Sequence, residues 1–222
     1  MKVRTLIILF DNEMPLYKMP LFRGAIIDLV GGDDMYHNHT EDSFYYRYPL
    51  IQYKRIHGQA AIFTISKGIE QIGKLLNVPS LDLRLGEEME TLTIEKIIPG
   101  DSEIQTSDKV FHYYLRKWLA LNSKNYEKYL SMETVVERTQ FLQNILTGNI
   151  LSMCKGLGIT IDNHIECQIT HINEPRKVRY KETLLMSFDV EFRSNVSLPD
   201  YIGLGKGVSM GYGTCVEKVI KQ

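Results

Sequence analysis

Six histidines occur in this chain of 222 residues, and two of them are separated by a single position: His37-Asn38-His39, flanked by Tyr36 and Thr40 and preceded by Gly31-Gly32-Asp33-Asp34. In extended backbone, side chains at i and i+2 share one side, so the two imidazoles would stand together. Imidazole gains and loses a proton near neutral pH, which suits a pair to act as base and acid in one reaction. RNA cleavage has that demand. One group removes the proton of the 2′-hydroxyl as it attacks the adjacent phosphorus, and another protonates the departing 5′-oxygen. Taken alone, the same residues also read as exposed loop histidines, or as an H-x-H metal site completed by Asp33, Asp34 or Glu41. Lys54, ending the run Ile51-Gln52-Tyr53-Lys54, is a point cation suited to a phosphorane-like transition state. Holding an RNA backbone, or lying exposed on a strand, are its two other readings.

A second feature is Gly203-Leu204-Gly205-Lys206-Gly207-Val208-Ser209-Met210-Gly211-Tyr212-Gly213, five glycines within eleven residues. Such backbone can adopt positive φ, approach another backbone closely and aim amide N–H groups at phosphates, and Lys206 adds a cation. It is not a Walker A loop, because Gly73-Lys74 and Gly205-Lys206 are followed by Leu75 and Gly207 rather than Ser or Thr. Nor is it a dinucleotide fingerprint, since Val208 and Met210 stand where the third glycine would fall. The plainer reading is a long flexible hairpin turn. Nearby, Arg176, Lys177, Arg179 and Lys181 lie within six residues with Tyr180 among them. At strand spacing Lys177, Arg179 and Lys181 project from one face, as a phosphate-binding edge or as charge that keeps a hairpin edge from aggregating.

The elements that must position these groups follow from hydrophobic period. Val3–Phe10 predicts a strand, Leu21–Val30 a helix stopped by Gly31-Gly32, and Tyr45–Tyr53 with Ala60–Ile65 a hairpin divided at Gly58. Ile69–Leu76 predicts a helix, and Thr91–Ile98 a strand broken by Pro99-Gly100. The order β-α-β-β-α-β is the ferredoxin-like split βαβ unit. Beyond it, Lys109–Leu121 predicts a strand with a partly helical end. Tyr126–Cys154 predicts one long helix with Val135, Val136, Phe141, Leu142, Ile145 and Ile150 as its apolar stripe. Ile161–Ile172, Val178–Phe192 and Thr214–Ile220 predict strands, the first two joined by the basic turn Glu174-Pro175-Arg176-Lys177. The fold class is therefore α+β, two tandem ferredoxin-like (RRM-like) lobes. A βαββαβ lobe over 1–100 carries the histidine pair, and a modified βαβ(β) lobe over 108–222, its second helix eroded, carries the C-terminal glycine-rich loop.

Composition bounds the functional class. The 26 Lys+Arg against 27 Asp+Glu give a formal net charge of -1, far from the strongly basic domain usual for nucleic-acid binders. By segment, residues 1–80 hold nine basic and eight acidic side chains, 81–149 eight and eleven, and 150–222 nine and eight. The acidic surplus sits in the middle, away from the motifs. No apolar run approaches the ~18 residues of a membrane span, and the N-terminal run ends at Asp11-Asn12-Glu13, so a cytoplasmic protein without a membrane partner is expected. Cys154, Cys167 and Cys215 form no CxxC pair and are expected to be reduced thiols.

The pattern Gly-Φ-Gly, five residues, Gly-Φ-Gly, just before the last strand of two such lobes, resembles the signature of CRISPR-associated repeat-processing endoribonucleases, the sixth-numbered Cas protein family. Arg47-Tyr48-Pro49-Leu50-Ile51-Gln52-Tyr53-Lys54 resembles its divergent branch with paired catalytic histidines. The resemblance covers nearly the whole chain. It implies that His37 and His39 act together in metal-independent cleavage of CRISPR precursor transcripts, with 2′-hydroxyl attack, no cofactor and no metal ligands. It implies RNA contacts at Gly203, Gly205, Lys206, Gly207, Gly211 and Gly213 and at Arg176, Lys177, Arg179 and Lys181, with CRISPR repeat RNA as partner. A homodimer is compatible with it. A non-catalytic guide-RNA-binding subunit among the other subunits of a CRISPR effector complex is the alternative, and a metal-dependent hydrolase a third.

Overall fold

The computed structural model describes residues 1–31 and 48–219, which fall into two compact units. The N-terminal unit comprises Lys2–Ser102 with Ser209–Gly211, and the other comprises Glu103–Val208, the stretch from Tyr212 onward and Met1. In the first, the dense β-type run at the N-terminus forms β1 (Lys2–Glu13), longer than the pattern predicts. Helix α1 (Met19–Leu29) follows, with Pro20 pre-set for its first turn and Gly31 at φ +80 just past its end. Strands β2 (Ile51–Ile56) and β3 (Gln59–Ile65) pair across the turn His57-Gly58, both residues at positive φ as a tight hairpin requires. The next helix is two short turns, α2 (Gly68–Gln71) and α3 (Gly73–Leu76).

Strands β4 (Asp82–Leu85) and β5 (Glu88–Thr91) form a separate hairpin, and β6 (Ile94–Glu103) returns to the main sheet, ordered β2-β3-β1-β6. With β6 as fourth strand, this is the ferredoxin-like order. The β4–β5 hairpin is an addition to the expected plan, although Leu81, Leu83 and Leu85 already alternate as a strand should. Pro99-Gly100 does not break β6. The strand lies at the sheet edge, where a missing N–H costs no ladder bond. The core closes on Phe22 of α1, whose ring meets Phe10 at 5.9 Å and Tyr53 at 5.7 Å, both edge to face.

In the second unit, β7 (Thr106–Trp118) is strand throughout, without the helical end the sequence suggests. The expected long helix is two, α4 (Ser123–Ser131) and α5 (Val135–Gly156), because Met132 is extended and Thr134 starts a new helix through a capping box with Glu137. The α5 core face is Leu142, Leu146, Ile150, Met153 and Cys154. Val135 and Val136, expected in that stripe, occupy the uncovered first turn and are 77% and 78% exposed. Strands β8 (Cys167–Ile172), β9 (Arg176–Tyr180), β10 (Thr183–Val196) and β11 (Thr214–Glu217) complete a sheet ordered β11-β7-β10-β8, with β9 paired to the first half of β10.

This is again the ferredoxin-like order, with residues 197–213 in place of the second helix. The single strand predicted over Val178–Phe192 is a hairpin that turns at Lys181-Glu182, with Lys181 at φ +54. Beneath the sheet, the Tyr113 hydroxyl donates to Val196 O at 3.0 Å and accepts from Leu198 N at 2.9 Å, tying the end of β10 to β7. Burial holds this phenol well above its ordinary pKa. Tyr113→Phe leaves an enclosed N–H and C=O unmet and should cost about 1–3 kcal/mol, read as a lower urea midpoint at unchanged m-value.

Candidate nucleic-acid interface

The positions singled out by sequence fall in both units. His37 and His39 lie outside the described residues. Lys54 is on β2 opposite Ala61 and has no exposed surface, which removes the exposed-strand reading. A buried ammonium is kept only where polar groups compensate it. Its neighbour on the same face of β2, Gln52, is equally buried and donates through Nε2 to the Tyr48 hydroxyl and to Pro49 O, each at 3.0 Å. Gln52 Oε1 is enclosed without a hydrogen-bond partner. Alternation puts both on the face of β2 opposite the core residues Ile51 and Tyr53, and what sets this strand apart is that its polar face is buried as well. Residues Ser209–Gly211 of the glycine-rich segment belong to this unit, and a Cβ on Gly211 (φ +83) would stand 3.0 Å from Tyr53 O.

The rest of the segment builds the second unit. It is ordered by bridges Gly203–Thr214 and Leu119–Lys206, which replaces the flexible hairpin reading. At Gly205, φ is +88 and a Cβ would lie 2.8 Å from Trp118 Nε1, which itself donates to Asn149 Oδ1 of α5 at 2.8 Å. Lys206 places its amino group 5.1 Å from the Tyr180 ring centroid, a cation–π contact. Tyr180 meets Tyr212 edge to face at 5.6 Å, and the Tyr212 hydroxyl donates to Arg179 O at 3.0 Å.

The β9–β10 hairpin is thereby pinned to the glycine-rich segment by two tyrosines that charge counting overlooks. Their signal was present in the sequence: one lies inside the basic cluster, the other between Gly211 and Gly213. Arg176, Lys177 and Arg179 are exposed along β9, with Lys177 and Arg179 alternating onto one face. Lys181 is exposed too, but it occupies the turn and not the strand face expected for it. Exposed cations beside half-buried tyrosines can neutralise phosphates and present π-faces to bases. Among the described residues, no group of three or more His, Cys, Asp or Glu side chains is disposed to hold a metal ion. No helix among them is long and apolar enough to cross a membrane.

Two ferredoxin-like sheets of the RRM type define the class. Residues 1–103 match the family model of the Cas6b N-terminal domain, and residues 105–219 that of the Cas6b C-terminal domain. A crystal structure of Cas6b is 30% identical and superposes with a TM-score of 0.90 over 98% of this chain and all of that one. A second, titled a CRISPR RNA processing endoribonuclease Cas6b, is 28% identical with a TM-score of 0.77 over 98% of this chain and all of that one. An uncharacterized protein of Methanocaldococcus jannaschii is 29% identical over 148 residues, 64% of this chain and 95% of its own length. The chain belongs to the Cas6b family. Because Gly205 needs both positive φ and the space beside the indole, Gly205→Ala should cost at least the roughly 1–2 kcal/mol of a left-handed alanine. As Trp118 is the single tryptophan, the change should also shift the emission maximum of the folded protein.

Proposed function

We propose that this protein is a metal-independent endoribonuclease that cuts CRISPR precursor transcripts within each repeat to release guide RNAs. The observation that carries the reading is the match of both halves of the chain to Cas6b domain models, residues 1–103 and 105–219. It is supported by the endoribonuclease named in a structure that matches 98% of this chain. In this mechanism the 2′-hydroxyl upstream of the cut attacks the adjacent phosphorus, the P–O5′ bond breaks, and the products are a 2′,3′-cyclic phosphate and a 5′-hydroxyl. His37 and His39 share the base and acid roles. Lys54 supplies positive charge toward the phosphorane-like transition state, and its burial makes that charge stronger than it would be in water. The cations of β9 with Lys206 hold the repeat backbone, while the glycines of residues 203–213 let it approach closely.

Replacing His37 and His39 together by Ala should lower cleavage by at least the roughly 10²–10⁴-fold ascribed to one acid–base group, with repeat binding kept. A repeat carrying one deoxyribose just upstream of the cut should bind and stay intact, and EDTA should leave the rate unchanged. Full-rate cleavage of the deoxy substrate would sink the mechanism. Binding without any cleavage by the unaltered protein, in EDTA or in Mg²⁺, would instead make it a guide-RNA-binding subunit. Changing Arg176, Lys177 and Arg179 together to Gln should flatten the slope of log Kobs against log salt by about 2, at roughly 0.7 per single-strand phosphate contact.

A further inference from the structure

The second unit has a sheet face that the function above does not use. Along β7 and β10, Tyr113, Leu115, Val190 and Phe192 are buried on the α5 side, so the alternating residues stand on the opposite face, away from that core. Register sets Tyr114 beside Glu191, His112 beside Arg193, and Glu191 beside His171 of β8. The Arg116 guanidinium lies 5.0 Å from the Tyr114 ring centroid, and Asn173 Nδ2 reaches the Tyr114 hydroxyl at 3.5 Å. Arg193 and Arg116 are exposed, and Arg193 Nε donates to Gln168 Oε1 at 2.7 Å. A depression of about 480 Å³ opens at the edge of this face, with His112, Thr170, Glu191 and Lys218 among its lining residues.

Cations outnumber carboxylates on this face. Arg116, Arg193 and Lys218 are cationic, and Glu191 is engaged by Lys218 at 2.8 Å. Asp189, further along β10, accepts the backbone N–H of Lys117. A four-stranded RRM-type sheet that presents an aromatic ring, a stacked guanidinium and exposed cations is the arrangement on which unpaired bases stack while phosphates are neutralised. A duplex, whose bases are already stacked, cannot use the ring. We propose that this open sheet face binds an unpaired stretch of RNA, with Tyr114 and Arg116 as stacking platform, Arg193 and Lys218 as phosphate partners, and the depression taking one nucleotide. The proposal rests on the reading of the chain as an RNA-processing protein, and it adds to the repeat a second foothold distinct from the β9–β10 hairpin.

The test is fluorescence anisotropy with the deoxy-blocked repeat RNA, single-stranded or annealed to its full complement. The double variant Tyr114→Ala/Arg193→Ala should bind the single strand at least tenfold more weakly and the duplex less than threefold more weakly. It should also flatten the single-strand salt slope by about 0.7 for the lost phosphate contact. A single-strand loss below threefold, or an equal loss for both forms, would overturn the proposal. Should the variant not fold, photocrosslinking on the unaltered protein decides: 4-thiouridines distributed through the repeat should label the peptide containing Tyr114, and labelling confined to β9 and β10 residues 176–187 would refute it. Cleavage of the all-ribose repeat by the unaltered protein is scored in parallel, so an inactive enzyme overturns the catalytic reading and not this one.

Discussion

The second unit depends on one close approach, that of the glycine-rich segment to the end of β7. A ferredoxin-like sheet needs cover on its core face, and here the second helix that would share that task is missing. Residues 197–213 take its place, and Leu204, wholly buried, brings its carbonyl so near Gly213 that any side chain there would run into backbone. Leu204 N in turn donates to Gly213 O at 2.8 Å, and Gly213 N to Lys117 O at 3.1 Å. A loop with ordinary side chains would be held off by their bulk and would leave Trp118 unroofed. Glycine here is first a packing requirement.

The first unit carries a different constraint. Burying Lys54 and Gln52 on one face of β2 costs stability unless each polar atom is met, and a fold selected for stability alone would place Val or Ile there. The ring of Tyr53, on the opposite face, is tied to Phe22 and hence to α1, so the backbone that presents Lys54 is held by the apolar core. A charge supported by a rigid strand stays where it is set, which is what the role proposed for Lys54 toward a phosphorane-like transition state requires. Polar groups buried at a cost, on a rigid strand, are the usual mark of a site whose local rules are broken for function.

Much of the architecture was legible in hydrophobic period. Both sheet orders follow from the predicted β-α-β-β succession, because strands long enough to bury Val, Ile and aromatic side chains leave few ways to cover them. What escaped was information carried by single residues. The break at Met132 hinges on Thr134 and Glu137 forming a cap, and the turn at Lys181-Glu182 has neither Gly nor Asn to announce it. The passage of β6 through Pro99-Gly100 depends on that strand lying at an edge, a property of the sheet and not of the segment. For the candidate site, residue types and spacing single out the histidines, which lie outside the described residues, together with the glycines and the basic cluster. The role of Tyr180 and Tyr212 needed three dimensions, since Lys206 meets Tyr180 from 26 positions away.

Near-neutral charge can then be set against RNA binding on firmer terms. A total of -1 is uninformative when screening at physiological salt limits each charge to neighbours within about 8 Å. What a phosphate encounters is the local set. Along β9 that set is Arg176, Lys177 and Arg179 with Lys206 nearby, and on the open sheet face it is Arg116, Arg193 and Lys218 against Glu191 and Asp189, both engaged. The acidic residues of the middle segment serve elsewhere: Glu88 and Glu90 clamp Lys18 in the first unit, and Glu137 caps α5. A chain organised this way offers a polyanion little long-range attraction and only local cationic contacts. For the RNA binding proposed here, selectivity then rests on the fit of one RNA to particular footholds, since a net charge of -1 gives no general attraction.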